Sequence, residues 1–266
     1  MQLHAAATAA GHRLLAHAAL ASTNTEALAL ARRGENGPLW VTAGRQTAGR
    51  GRRGSAWSSP PGNLYATLLL DDPAPAEHAP ELAFVAALAV HDAIIDCAPA
   101  VRERLTLKWP NDLLCGGAKL VGILIESENV AGRLTVAVGI GVNCRHHPAP
   151  TPYPTTDLRA RGAEVSAKTL LVALSAMMLR RLGQWNRGAG FDAIREDWIA
   201  RAAGIGADMR VRLPDRELFG RFEALDERGR LLLRLADGTL QTITAGDVFP
   251  VAGAPPERRP ALGRVD

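Results

Sequence analysis

The sequence predicts an α+β protein that ends in a small all-β appendage, on the strength of three observations. Helix-like and strand-like segments are mixed through residues 1–205. Within them, two β-rich runs at 119–126 and 134–142 are joined by a short polar stretch with a glycine at 132, the pattern of an antiparallel hairpin. After Gly206 the texture changes to short alternating pieces separated by Pro-Asp, Asp-Glu-Arg-Gly and Ala-Asp-Gly, as in a small barrel or meander. A domain boundary is therefore expected near residue 205.

Taken in order, residues 1–10 carry no basic stretch ahead of an apolar run, so no secretory signal is expected. His4, His12 and His17 lack paired acidic or cysteine partners, and the segment reads as a lead-in rather than a metal site. Residues 23–33 alternate Ala and Leu around Glu26, with Ser22 or Thr23 as N-cap and Gly34 as the stop, which spells a helix. Residues 38–43 read as a short strand. The stretch 44–62, dense in Gly, Arg, Ser and Pro, has no hydrophobic period and reads as a loop. A strand follows at 63–70, a turn-rich connector at 73–80, an Ala-rich buried helix at 81–95 and a short strand at 105–109. The four prolines of 146–156 make that stretch irregular, and helices are expected at 166–185 and 191–200. Beyond residue 206 the expected strands are 209–213, 218–225, 230–235 and 240–244, and the Pro/Arg-rich residues 254–266 form a flexible tail.

Composition narrows the function classes. With 266 residues, 47% hydrophobic and 22% charged, the chain is an ordinary soluble globular protein, neither collagen nor disordered throughout. Folding at this length buries roughly 70–75% of the extended chain's surface, so no disulfide or metal staple is needed. Cys97, Cys115 and Cys144 are odd in number and lack C-x-x-C spacing, which suits a reducing cytoplasm. Cys115 and Cys144 read as small buried hydrophobes. Charges or Gly/Pro interrupt every apolar run before it could cross a bilayer. The net charge is +4, but the excess is spread thin rather than gathered into a stripe, which argues against a nucleic-acid partner. Its one sharp concentration is Arg45, Arg50, Arg52 and Arg53. Among 31 basic residues only three are lysines: Lys108, Lys119 and Lys168.

Three segments could carry chemistry. In the loop GRQTAGRGRRGS, Gly49, Gly51 and Gly54 let the backbone wrap closely around a ligand while the arginines supply fixed positive charge, which suits a phosphate or carboxylate. A solvated basic loop is the plainer alternative. It is no Walker loop, and Gly139-Ile140-Gly141 lacks the third glycine of a dinucleotide fingerprint. In Lys108-Trp109-Pro110-Asn111-Asp112, the proline fixes where Asn111 and Asp112 point, either into a capped turn or toward a ligand. Two of the three lysines, Lys108 and Lys119, fall in this region of a chain that otherwise uses arginine, as if a compact point charge were required there. Ser22-Thr23-Asn24 is a helix N-cap, and such a terminus also makes a hydrogen-bonding site for a polar or anionic group.

Ser22-Thr23-Asn24, the block Gln46-x-x-Gly49-Arg50-Gly51-Arg52-x-Gly54-x-x-Trp57, Lys108-Trp109-Pro110-Asn111-Asp112 with Lys119-x-x-Gly122, and Gly139-Ile140-Gly141-Val142-Asn143 occur in that order. Together they resemble the biotin protein ligase family over residues 13–250. The resemblance implies a fold like that of class II aminoacyl-tRNA synthetases, with helices packed on one side of a largely antiparallel sheet. Residues 1–205 would form a catalytic domain binding biotin and ATP, and residues 206–253 an SH3-like barrel. The implied reaction has two steps. Biotin and ATP, with magnesium, give biotinyl-5′-AMP, and a lysine of a biotin carboxyl carrier protein then displaces AMP.

By the same resemblance, Arg52 and Lys119 serve the reacting carboxylate and α-phosphate. Ser22, Thr23, Asn24, Gln46, Gly49, Arg50, Lys119 and Gly122 hold biotin. Arg52, Arg53, Trp57, Asn111, Asp112 and Asn143 serve the adenylate, with magnesium entering beside Asp112. The Gly/Arg loop is expected to be mobile when empty and to fold over the adenylate. The carrier belongs to acetyl-CoA carboxylase or another biotin-dependent carboxylase, and monomer and homodimer both remain open. Some family members have another arginine just after GRGRRG, where this chain has Ser55. Twenty-one residues precede Ser22, too few for the helix-turn-helix domain of members that double as repressors. The alternatives are a lipoate or other acyl-protein ligase on the related fold, and a non-catalytic biotin sensor.

Overall fold

The computed structural model describes residues 1–251, and the tail expected at 254–266 lies outside the described residues. The chain divides into two compact units, the second beginning at Ala203.

In the first unit, α1 (Ala5–Ala9) and β1 (Arg13–His17) occupy the stretch read as a lead-in. His4 caps α1 by accepting the Ala6 N–H on Nδ1. Next come α2 (Thr23–Arg32), β2 (Leu39–Ala43), β3 (Leu64–Asp71), α3 (Leu82–Cys97) and β4 (Leu105–Lys108). They are followed by β5 (Asp112–Cys115), β6 (Ala118–Val130), β7 (Arg133–Val142), α4 (Ala167–Trp185) and α5 (Phe191–Ile199). Seven strands form one sheet in the order β1-β2-β3-β7-β6-β5-β4, antiparallel except for the parallel pair β1–β2.

Helices cover both faces of this sheet, not one. Ala27, Leu28 and Ala31 of α2 pack on Leu39, Val41, Leu69 and Ala137. Alternate strand residues, Leu68, Val136, Val138 and Ile140, are buried on the opposite face, where α3 and α4 lie. A β3 run buried from Leu64 to Leu70 is what such two-sided cover requires.

Two strand boundaries differ from the sequence reading. Asp112 opens a strand rather than a turn, because β5 pairs with β4 on one side and β6 on the other, which satisfies its backbone. The β6–β7 hairpin is longer than its apolar runs. Its connection is only Ala131 and Gly132, whose φ values of 50° and 82° give the twist a two-residue turn needs.

The second unit contains β8 (Asp208–Arg212), β9 (Glu217–Leu225), β10 (Leu231–Arg234), β11 (Leu240–Ile243) and β12 (Asp247–Pro250). They form an antiparallel sheet in the order β11-β10-β9-β8-β12, around a small core of Met209, Val211, Phe222, Leu225, Leu231, Leu233, Ile243 and Val248. The short strand β12 was not expected from the sequence.

Candidate active site

The register of the large sheet places one row of residues side by side on the same face: Lys108 opposite Asp112, Asp112 opposite Gly122, Gly122 opposite Gly141 and Gly141 opposite Tyr65. The two glycines in the middle leave a floor without side chains. The Trp57 ring lies on it so closely that a Cβ at Gly122 would sit 2.8 Å from the ring, and one at Gly141 2.7 Å. Among the described residues, the buried Trp57 Nε1–H has no hydrogen-bond partner.

The start of α2 borders this floor. Ser22 caps the helix by accepting the Thr25 N–H. The Thr23 backbone N–H and hydroxyl both donate to Gln46 Oε1, at 2.8 and 3.2 Å, and Gln46 Nε2 donates to Ser59 Oγ at 3.0 Å. Behind them, the Thr67 hydroxyl donates to Asn24 Oδ1 at 2.7 Å and lies 2.8 Å from the Thr23 hydroxyl. Asn24 Nδ2 donates to Glu126 Oε2 at 2.8 Å. Two glycines make these contacts possible. A Cβ at Gly139 would overlap the Asn24 amide, and one at Gly49 would meet Ser59 Oγ and the Trp57 carbonyl at 2.6 Å. Neutral donors and acceptors, each already oriented by a neighbour, suit a polar uncharged head group.

The Gly/Arg loop is docked at two points, Arg50 and Arg52. Arg50 donates to Thr25 Oγ1 at 3.1 Å and pairs with Glu126 at 3.2 Å. Arg52 donates to Asn111 Oδ1 at 3.3 Å, while Asn111 Nδ2 donates to the Ile123 carbonyl. Next to Arg52, Arg53 takes φ 54° in a tight turn and is exposed.

Lys119 Nζ lies 2.7 Å from Asp112 Oδ1, 5.5 Å from the Trp57 ring centre and 5.6 Å from that of Tyr153. Lys108 Nζ is 3.7 Å from Asp112 Oδ2. One carboxylate thus serves two ammonium groups in a half-buried setting. With Arg52 held on the neighbouring Asn111, three cations are gathered around Asp112 beside the Trp57 ring, a setting that favours an incoming anion.

The remaining expected residue, Asn143, is 1% exposed and donates from Nδ2 to the Thr156 carbonyl in the segment that follows β7. Burial pushes the Cys144 thiol up to about 12, and raises Cys97 and Cys115 above the usual thiol range. These thiols are poor nucleophiles at neutral pH. Among the described residues no three His, Cys, Asp or Glu side chains are grouped to hold a metal ion. The structure adds Ser59, Thr67, Glu126 and Tyr153 to the site, along with the paired glycine floor. Only the alternation Gly139-x-Gly141 signalled that floor in the sequence, as strand positions where something approaches closely.

Residues 18–143 match the biotin/lipoate A/B protein ligase family, and residues 205–249 match the biotin protein ligase C-terminal domain. The chain is 43% identical over 236 residues to a biotin–[acetyl-CoA-carboxylase] ligase of Paracoccus denitrificans, covering 86% of this chain and 96% of that one. It is 32% identical over 235 residues to the ligase of the same name from Mycobacterium tuberculosis, covering 85% of each. Among solved structures, the biotin protein ligase from Aquifex aeolicus in complex with biotin and ATP superposes with a TM-score of 0.74 at 25% identity, over 89% of this chain and 97% of that one. Identity of this order over almost the whole of the Paracoccus ligase shows that the chain belongs to the biotin protein ligase family.

Proposed function

We propose that the protein attaches biotin to a lysine of a biotin carboxyl carrier domain, such as that of acetyl-CoA carboxylase, at the expense of ATP. The observation that carries the reading is the pairing of two unlike groups: a neutral hydrogen-bonding cluster around Thr23 and Gln46, and the cations Arg52, Lys108 and Lys119, beside a glycine floor on which the Trp57 ring lies. Biotin has a polar uncharged head and a carboxylate tail, and ATP brings the second anion. In the first step a carboxylate oxygen bonds to the α-phosphorus as the bond to the β-phosphate breaks, and pyrophosphate leaves. In the second step the carrier amine bonds to the carbonyl carbon, loses a proton, and AMP leaves.

Thr23, Asn24, Gln46 and the backbone at Gly49, Arg50 and Gly122 would hold the head, with Ser22 fixing the helix end. Lys119 and Arg52 would draw the two anions together, which lowers the barrier by placement and by charge stabilisation. Trp57, Asn111 and Arg53 would flank the nucleotide, with Asn143 bracing the segment beside it. Asp112, whose oxygens meet Lys119 and Lys108, would keep lone pairs for magnesium, with phosphate oxygens completing the ion's shell. Magnesium would neutralise phosphate charge. The loop from Gly49 to Trp57 would cover the mixed anhydride and keep water from it.

Incubation with radiolabelled biotin, MgATP and a carrier domain should label the carrier covalently and release pyrophosphate. Lipoate offered in place of biotin should not label it. Absence of transfer to a carrier that a known ligase can modify would overturn the reading.

A further inference from the structure

Lys108 stands in the cationic cluster without a role of its own so far, and it is one of only three lysines among 31 basic residues. The β4–β5 register sets it directly opposite Asp112, and its ammonium lies 3.7 Å from Asp112 Oδ2 with the side chain 19% exposed. Asp112 Oδ1 is meanwhile 2.7 Å from Lys119. A carboxylate that met Lys119 alone would largely cancel the charge an incoming anion needs. Shared between two ammonium groups, it fixes where Lys119 sits while offsetting that charge only in part.

We propose that Lys108 is a positioning residue for the first half-reaction, dividing the Asp112 charge so that Lys119 is held in place without being neutralised. This rests on the ligase reading. The role asks for a positive charge on the Oδ2 side of Asp112, which leaves Oδ1 to Lys119.

The test compares the wild-type chain with Lys108→Met, Lys108→Gln and Lys108→Arg. The readouts are pyrophosphate release with biotin and MgATP, and biotin affinity measured without nucleotide. Lys108→Met and Lys108→Gln should lower kcat for pyrophosphate release roughly tenfold to a hundredfold, the range for a lost charge-assisted contact. Biotin affinity should stay within about twofold, because the Thr23–Gln46 pocket is untouched. Lys108→Arg should recover most of the kcat lost in the neutral variants, since it restores the charge. An unchanged kcat in both neutral variants, a parallel loss of biotin affinity, or Lys108→Arg as impaired as Lys108→Met would overturn the inference and leave the ligase reading intact. A wild-type chain that releases no pyrophosphate would overturn both.

Discussion

Arg52 and Asn111, 59 residues apart in sequence, meet through a 3.3 Å hydrogen bond from the guanidinium to the side-chain carbonyl. The contact closes the Gly/Arg loop onto the turn before β5, and Asn111 is in turn anchored by its bond to the Ile123 carbonyl. The loop and the turn before β5 are therefore joined through one arginine. Removing it by Arg52→Ala should shorten the lifetime of bound biotinyl-AMP by roughly tenfold to a hundredfold, the range for a hydrogen bond to a charged group. Dissociation of labelled adenylate from a gel-filtered complex measures this directly. A half-life equal to that of the wild-type chain would remove Arg52 from the role.

Lys119 is held by Asp112 and by two aromatic faces, a seat shaped for a small spherical cation. Lys119→Arg preserves the charge but spreads it over a planar fork longer than the seat. Adenylate synthesis should fall by about a hundredfold or more, as when a preorganised donor is lost. Biotin binding without ATP should weaken far less. If pyrophosphate release were as fast as in the wild-type chain, charge alone would suffice and the shape argument would fail.

Gly141 has no need of glycine's backbone freedom, since its φ is not positive; what it provides is room for Trp57. In Gly141→Ala the new methyl would sit 2.7 Å from the indole, and the ring has to lift from the floor. Overpacking of this kind costs on the order of 1–3 kcal/mol. The KM for ATP should rise about tenfold or more, and the intrinsic tryptophan fluorescence should shift. The further change Trp57→Leu in the same chain should restore the lost thermal stability. An unaltered emission spectrum and KM would show that the ring and the glycine do not compete.

Much of the site was legible because it is written as local motifs. Ser22-Thr23-Asn24 lies at a helix start, and GRGRRG lies in a loop without hydrophobic period. Thr67 and Glu126 were not legible. Each occupies a strand position that reads as ordinary sheet, and each matters only because the register brings it to α2 or to Arg50. The glycine floor is the same case, since Gly122 and Gly141 become one surface only when β6 and β7 pair. Strand β5 was missed for a related reason. Its four residues carry too short a pattern to identify, and pairing on both edges makes it a strand. Asn143 shows the converse, a motif residue whose amide is committed to bracing a neighbouring segment.

Away from the site, Arg181 is 5% exposed and bridges α3 to α5 by pairing with Asp92 at 2.7 Å and with Asp197. Burial alone would raise the Asp92 pKa. Hydrogen bonds from His91 and Arg181, with the charges of Arg181 and Arg180, outweigh it and hold the carboxyl down at about 2, against an ordinary 3.8. The unfolded chain thus binds the Asp92 proton more readily than the folded one. Its contribution is complete above pH 4 and is lost as pH falls toward 2, about 2 kcal/mol in all. Arg181→Met should cost about 1.5–3 kcal/mol at pH 7, the range for hydrogen bonds to charged groups, because Asp92 would keep only Arg180 and Asp197 only Arg201. It should also flatten the acid limb, so that urea midpoints of variant and wild type converge between pH 4 and pH 2.5. Parallel midpoints over that range would show that Asp92 titrates alike in the folded and unfolded chain, and that Arg181 serves the helix packing through its shape alone.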